Sequence, residues 1–200
     1  VSPDTLLTWM RERRSIRRYR AEPLPARLIE QLLDAARWAP SAHNRQPWRF
    51  AVLQDDDAKA RLADAMGERL RDDRGADGDA PEAIERDVAN SRARITDAPA
   101  VIVACFTLGD MDAYPDARRA QAECTMAIQS TAMAVQNMLL LAHAEGLAAC
   151  WMCAPLFCPD TVRNALDLPA DWEPQALVTL GYPAGPGRLR ERRSIADIVR

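Results

Sequence analysis

The sequence predicts an α+β fold, a small mixed sheet surrounded by helices with one long central helix, and three observations carry that prediction. Ala100 to Phe106 is a continuous apolar run after Pro99, long enough for a buried central strand and too short for a helix. Trp48, Phe50 and Val52 alternate with Arg49, Ala51 and Leu53, the period of a second strand. Ala120 to Glu145 runs without Gly or Pro, and Met126, Ile128, Met133, Val135, Met138 and Leu139 to Leu141 cover more than one of its faces.

The elements follow in order. Ser2-Pro3 reads as an N-cap and first-turn proline, with Leu6, Trp9 and Met10 recurring at helical spacing up to an arginine cluster. Beyond Glu22-Pro23-Leu24-Pro25, a second helix is marked by Leu28, Ile29, Leu32, Leu33 and Ala36, and Pro40 cannot continue it. Pro40 to Pro47 is loop. After the strand at Trp48, Asp55-Asp56-Asp57 opens a helix to about Leu70. Residues 71–82 read as a solvated mobile loop of the composition a lid requires, followed by a charged helix from Glu82 to Ile95. The long helix from Ala120 needs its apolar surface covered, either inside one monomer or in a dimer core, and Gly146 ends it. Leu147 to Met152 is a short strand, Pro159 to Leu166 a helix, and Gln175 to Leu180 the last strand.

With 200 residues, 48% of them hydrophobic, the chain can bury one substantial core, so residues 1–200 are expected to form a single domain. No apolar stretch is long enough to span a bilayer and no signal peptide is evident, which predicts a cytoplasmic protein with no membrane partner. Five cysteines, an odd number, point to reduced thiols. Both ends are basic. Residues 1–20 hold six Arg against Asp4 and Glu12, and residues 185–200 hold five against Glu191 and Asp197. The net charge is −3, so the intervening chain is strongly acidic. Lys59 is the one lysine, and nearly every cation is a guanidinium fork suited to bidentate phosphate binding.

If the fold brings the ends together, Arg13, Arg14 and Arg17 would face Arg190 and Arg192 across a phosphate monoester. Solvated arginines in surface ion pairs explain the same charges. Nucleic acid is disfavoured by the acidic balance and the lack of interleaved aromatics. Pro40-Ser41-Ala42-His43-Asn44-Arg45-Gln46-Pro47 has the donor-rich composition of a ligand loop, and Asn44 and Gln46 match the mixed edge of a pyrimidine-like ring, though amides that satisfy the loop's own backbone fit as well. Cys150-Trp151-Met152-Cys153 lies on an apolar strand without a second such pair, and reads as buried inert thiols rather than a redox or zinc motif. His143 reads as a helix residue with no catalytic task. GxGxxG after a strand, the phosphate-loop motif, GxSxG and HExxH are all absent, which leaves a phosphate-bearing cofactor held by arginines.

Arg13-Arg14-Ser15-Ile16-Arg17-Arg18-Tyr19, Pro40 to Trp48, Gly146-Leu147-Ala148-Ala149-Cys150-Trp151-Met152, Leu180-Gly181-Tyr182-Pro183 and Arg190-Glu191-Arg192-Arg193 together resemble the FMN-dependent nitroreductase family. The resemblance implies a nitroreductase-like fold, an intertwined homodimer and two shared FMN sites. It implies Arg13 and Ser15 at the flavin phosphate and ribityl chain, with Arg14 beside them, Arg17 at the pyrimidine side of the ring, and Arg190 and Arg192 completing the phosphate site. Pro40, Ser41, Ala42 and Asn44 would come from the opposite subunit, Gln46 of the same loop is a further cofactor-binding candidate, and backbone around Met152, Cys153 and Ala154 would lie at the flavin N5 edge. No protein nucleophile is then needed, and the cycle is ping-pong hydride transfer through N5 from NAD(P)H or a deazaflavin.

Tyr114-Pro115-Asp116-Ala117-Arg118-Arg119, Glu123-Cys124-Thr125-Met126 and Leu166 to Pro174 look most like the C-terminal flavin domain of FbiB-type proteins of coenzyme F-420 biosynthesis. That likeness implies reduction of a dehydro precursor of the deazaflavin. A broad NAD(P)H-dependent nitro or quinone reductase is the alternative. A third reading is a non-catalytic flavin module partnering a separate glutamate ligase. The start at Val1 suits either a fragment of such a fusion or a trimmed stand-alone reductase.

Overall fold

A computed structural model describes residues 2–200; Val1, on which the reading of the chain's start rests, lies outside them. Helix α1 (Pro3–Glu12) is capped by Ser2, whose hydroxyl accepts the Thr5 N–H at 3.2 Å. Helix α2 (Ala26–Arg37) buries Ile29, Leu32 and Ala36. Strand β1 (Trp48–Leu53) leads into α3 (Asp56–Ala76), whose N-cap Asp55 accepts the Ala58 N–H at 2.8 Å. Then come α4 (Pro81–Thr96), β2 (Ala100–Phe106), α5 (Ala117–Ala144), β3 (Ala148–Met152), α6 (Pro159–Ala165) and β4 (Glu173–Gly181).

The strand order is β1-β2-β4-β3, and all three ladders are antiparallel. Among the described residues, parallel pairing, which a mixed sheet needs, is confined to the single bridge between Ser15 and Ala149. As expected, β2 is central and completely buried. Because successive side chains in a strand take opposite faces, Ala100, Ile102 and Ala104 pack with α2 and α5 residues such as Leu32, Val135 and Met138. Val101, Val103 and Cys105 pack with Leu62, Met66, Ile95 and Val162 of α3, α4 and α6. The sheet therefore lies between two helical layers. Gly146, at φ +71, ends α5 in the left-handed conformation.

The mobile loop expected at 71–82 is corrected. Helix α3 continues to Ala76, and only the short turn at 77–80 precedes α4. The charges read as loop composition are the glue of a helical hairpin. Arg69 pairs with Asp73 one turn on, Arg71 reaches Glu85 at 2.7 Å, and Arg74 binds both Asp79 and Asp87.

Candidate functional site

The chain leaves α1 at Arg13 and runs to Arg20 without helix, pinned at both ends to the sheet. Ser15 bridges Ala149 of β3, where the Ile16 N–H also donates to the Ala149 carbonyl at 3.3 Å. Tyr19 bridges Pro183 just beyond β4; the Arg20 N–H donates to Tyr182 at 2.9 Å, and the Ala184 N–H to Arg18 at 3.0 Å. The Tyr19 hydroxyl sits 2.9 Å from the Ile16 carbonyl and 2.6 Å from the Thr179 hydroxyl. Burial pushes its pKa well above the ordinary phenol range. Two glycines allow this packing. A Cβ at Gly181 would lie 2.6 Å from Pro99 and 2.9 Å from the Tyr19 ring, and one at Gly187 would lie 2.3 Å from the Arg14 Cβ.

The result is a cavity of about 820 Å³, the size of a cofactor site. Arg13, Arg14, Ser15 and Arg17 line one side and Arg190 and Arg192 another, so the two basic ends do meet. Ion pairing does not explain them. Among the described residues, Arg13, Arg18, Arg94, Arg188 and Arg190 have no carboxylate or other acceptor, Arg17 has no carboxylate and meets only the Cys150 thiol, and Asp97 is the one acid in the lining. Away from the cavity, Arg45, Arg49, Arg71, Arg74 and Arg163 each find a carboxylate. Two expected phosphate ligands have other contacts. Arg14 donates to the carbonyls of Arg11 and Arg13 at the end of α1, and Arg192 to those of Arg190 and Glu191.

Beside the cavity, burial pushes the Cys150 thiol pKa up against the opposing pull of Arg17, Arg94 and Arg13. The reading of inert buried thiols holds for Cys150 but not for Cys153, which is exposed and accepts the Trp151 indole N–H at 2.8 Å. The chain turns outward there, at the end of β3. Met152 and Ala154 pack on the core between α3 and α6, and Met152 lies about 10 Å along β3 from Ala149 at the usual strand rise. These three residues are not part of the cavity lining.

Pro40, Ser41, Ala42, Asn44 and Gln46 lie elsewhere again. The Thr107 N–H bonds to the Pro47 carbonyl, which puts their loop where β2 ends, whereas the cavity surrounds the end where β2 begins. The length of β2 separates the two by about 20 Å. The loop is tightly wound. His43, Asn44 and Gln46 all take positive φ, the Ser41 hydroxyl accepts the Gln46 N–H at 3.0 Å, and Ser130 of α5 accepts the Ala42 N–H at 3.3 Å. Strain of that kind persists only where surrounding contacts enforce it, and it gathers at functional loops.

The sequence reading missed Asn90 and Arg94 of α4, and Arg18 and Arg188. Asn90, Ala93, Arg94 and Asp97 recur at the spacing of one helix face, a signal that the general charge of α4 hid. His143 stacks on Trp9, with ring centroids 5.2 Å apart.

Comparison with known proteins accounts for this architecture. The chain is 32% identical to an NADH dehydrogenase of Thermus thermophilus, across 94% of this chain and 91% of that one. It is 31% identical to the 5,6-dimethylbenzimidazole synthase of Rhodospirillum rubrum, across 98% and 86%. The structure superposes on a nitroreductase from Desulfovibrio desulfuricans in complex with FMN with a TM-score of 0.74 at 28% identity, over 100% and 96% of the two chains. Residues 10–182 match the nitroreductase family model, a span from the last turns of α1 through the cavity strand to Tyr182, and this chain therefore belongs to the nitroreductase family.

Proposed function

We propose that this chain is an FMN-dependent oxidoreductase acting as a homodimer. The carrying observation is the convergence of unpaired arginines from both ends of the chain on one cavity. The residues fit the group: a phosphate monoester offers acceptor oxygens to guanidinium forks and carries close to two negative charges. Arg13, Ser15, Arg190 and Arg192 would hold that phosphate, with Arg14 fixing the end of α1 beside them. When bound, the flavin supplies hydride acceptance and donation at a ring nitrogen. Arg17 and Arg94 place positive charge beside Cys150, where it would stabilise negative charge developing on a reduced ring. Met152, Cys153 and Ala154 would supply the backbone at the ring's reactive edge.

The 20 Å gap between the cavity and the Pro40 to Pro47 loop favours a dimer, because a second copy must then bring Pro40, Ser41, Ala42, Asn44 and Gln46 over the ring to exclude water. Uncovered apolar surface points the same way. Helix α1 buries no residue and exposes Leu6, Leu7 and Met10, and α5 exposes Ile128 and Met133 although its other face fills the core.

For the substrate, the sequence runs at Tyr114 to Arg119, Glu123 to Met126 and Leu166 to Pro174 favour a dehydro precursor of the deazaflavin coenzyme F-420. The second reading, a broad NAD(P)H-dependent nitro or quinone reductase, is favoured by relatives named NADH dehydrogenase in Thermus thermophilus and NAD(P)H nitroreductase in Bacillus subtilis. No helix among the described residues is long and apolar enough to cross a membrane. The test is the visible spectrum and sedimentation of the purified protein, followed by anaerobic mixing with NADPH and then with a nitroaromatic or the deazaflavin precursor. A yellow dimer with about one FMN per chain is expected. Re-oxidation by the precursor and not by the nitroaromatic selects the first substrate reading, and the converse selects the second. A colourless monomer indifferent to added FMN removes the proposal.

A further inference from the structure

We infer that the turn after β2, Asp110-Met111-Asp112, is a positioning strap for the Pro40 to Pro47 loop: Asp112 and Asp110, through Arg45 and Arg49, set the conformation in which Asn44 meets the cofactor. The cofactor part rests on the FMN reading and on the second copy that brings the loop over the ring; the strap's hold on the loop does not.

Backbone energy calls for outside support. His43, Asn44 and Gln46 have φ of +50, +54 and +50, in the left-handed region that residues with a Cβ disfavour. Three such residues so close together persist only where surrounding contacts enforce them. Hydrogen bonds inside the loop, such as that from the Gln46 N–H to the Ser41 hydroxyl, move with it and cannot fix it to the body of the protein.

The fixed points come from one face of α5. Glu123, Ala127 and Ser130 recur at helical spacing and so lie in a row along the helix. The Ser130 hydroxyl, oriented by donating to the Met126 carbonyl at 2.7 Å, accepts the Ala42 N–H at 3.3 Å. Ala127 packs with Met111, and the buried Glu123 carboxylate accepts the Asp112 N–H at 3.3 Å. The turn is thereby fastened to the long helix. With Met111 buried, the acids on either side of it reach the loop: Asp112 pairs with Arg45 at 2.5 Å and Asp110 with Arg49 at 2.8 Å. Arg49 also donates to the Gln46 carbonyl at 3.2 Å, so the Asp110 pair ends on the strained segment itself.

All four charged side chains are at least 31% exposed, and ion pairs of that kind add little to global stability. Their effect falls on the loop, where they select one conformer from the many open to a short connection. Asn44 is exposed, and that conformer presents it outward, toward the ring of a second copy's cofactor.

Hydrogen exchange on the FMN-free full chain reads the strap directly. In the Asp110→Asn/Asp112→Asn variant the amides of residues 41–46 should exchange about tenfold faster than in the parent, with those of β2 and α5 unchanged. A flavin fluorescence titration reads the consequence: FMN affinity should fall about tenfold while Tm and oligomeric mass stay at the parent's values. Asp112→Asn and Arg45→Gln should each weaken FMN binding, and the two together no more than the stronger single, the mark of one shared interaction. Asp112→Glu, which keeps the charge, should retain most of the affinity. Parental exchange rates in the loop overturn the strap. Faster exchange with parental FMN affinity, or single effects that simply multiply, overturns its role at the cofactor. A parent that takes up no FMN sinks the cofactor reading alone, and the exchange rates still decide whether the strap holds the loop.

Discussion

A methyl group placed on Gly187 would fall 2.3 Å from the Cβ of Arg14, so the segment after β4 lies directly against the arginine strand that follows α1. That contact joins the two basic ends of the chain. Replacing Gly187 with Ala must push them apart, at the mouth of the cavity and away from the core clusters. FMN affinity is therefore expected to fall about tenfold or more, the loss of roughly one charge-assisted hydrogen bond, with little change in Tm. A flavin fluorescence titration beside a thermal melt checks it. Unchanged affinity would mean that the two segments need not touch to form the site.

Arg17 has no carboxylate partner among the described residues and lies close enough to the Cys150 thiol to hydrogen-bond to it. In the Arg17→Ala protein, weaker FMN binding and a more negative flavin reduction potential are expected, since the variant lacks the cation that favours the reduced ring. Spectroelectrochemical titration provides the potential. If both quantities match the parent, Arg17 lies outside the flavin site.

The buried acids that stay protonated make the fold sensitive to alkali. Burial, helped by Glu173, pushes Cys105 from an ordinary value near 9 up to about 12, and Cys124, Cys150 and Cys158 are also raised, chiefly by burial. A raised folded-state pKa means that the unfolded chain releases its proton first. Stability from such a group is complete below pH 9 and declines as pH climbs toward the folded value. By pH 10 the loss attributable to Cys105 is about 1–2 kcal/mol. Above pH 10 the raised Tyr19 adds to it. Urea unfolding at pH 7.5 and 10 measures the fall, and Cys105→Ala should flatten the profile. A parent and variant with equal slopes would contradict this assignment.

Residues 71–76 belong to α3 and share ion pairs with α4 through Arg71 and Arg74. Their amides should exchange with solvent at rates like those of the preceding turns, and only the turn at 77–80 should exchange at once. Hydrogen exchange read by mass spectrometry resolves this stretch. Rapid exchange throughout 71–82 would restore the lid.

Local chemistry in the sequence determined nearly all the elements. Ser2, Asp55, Pro40 and Gly146 mark helix ends by caps and breakers that act within a few residues, and the unbroken apolar run of β2 could lie only in the middle of a sheet. The motif at Arg13 to Tyr19 was likewise legible, because arginines clustered at both termini ask for a shared anion. Where reading went astray, the cause was non-local. The acidic and basic residues of 71–76 look like a loop until their partners, Glu85 and Asp87, arrive from another helix. Exposure of Cys153 depends on how the chain turns after β3, which no spacing records. Tertiary structure alone placed Arg94 and Arg188 in the cavity and put the Pro40 to Pro47 loop at the far end of β2, since both follow from strand order and register, and those are settled by the packing of the whole sheet between its helical layers.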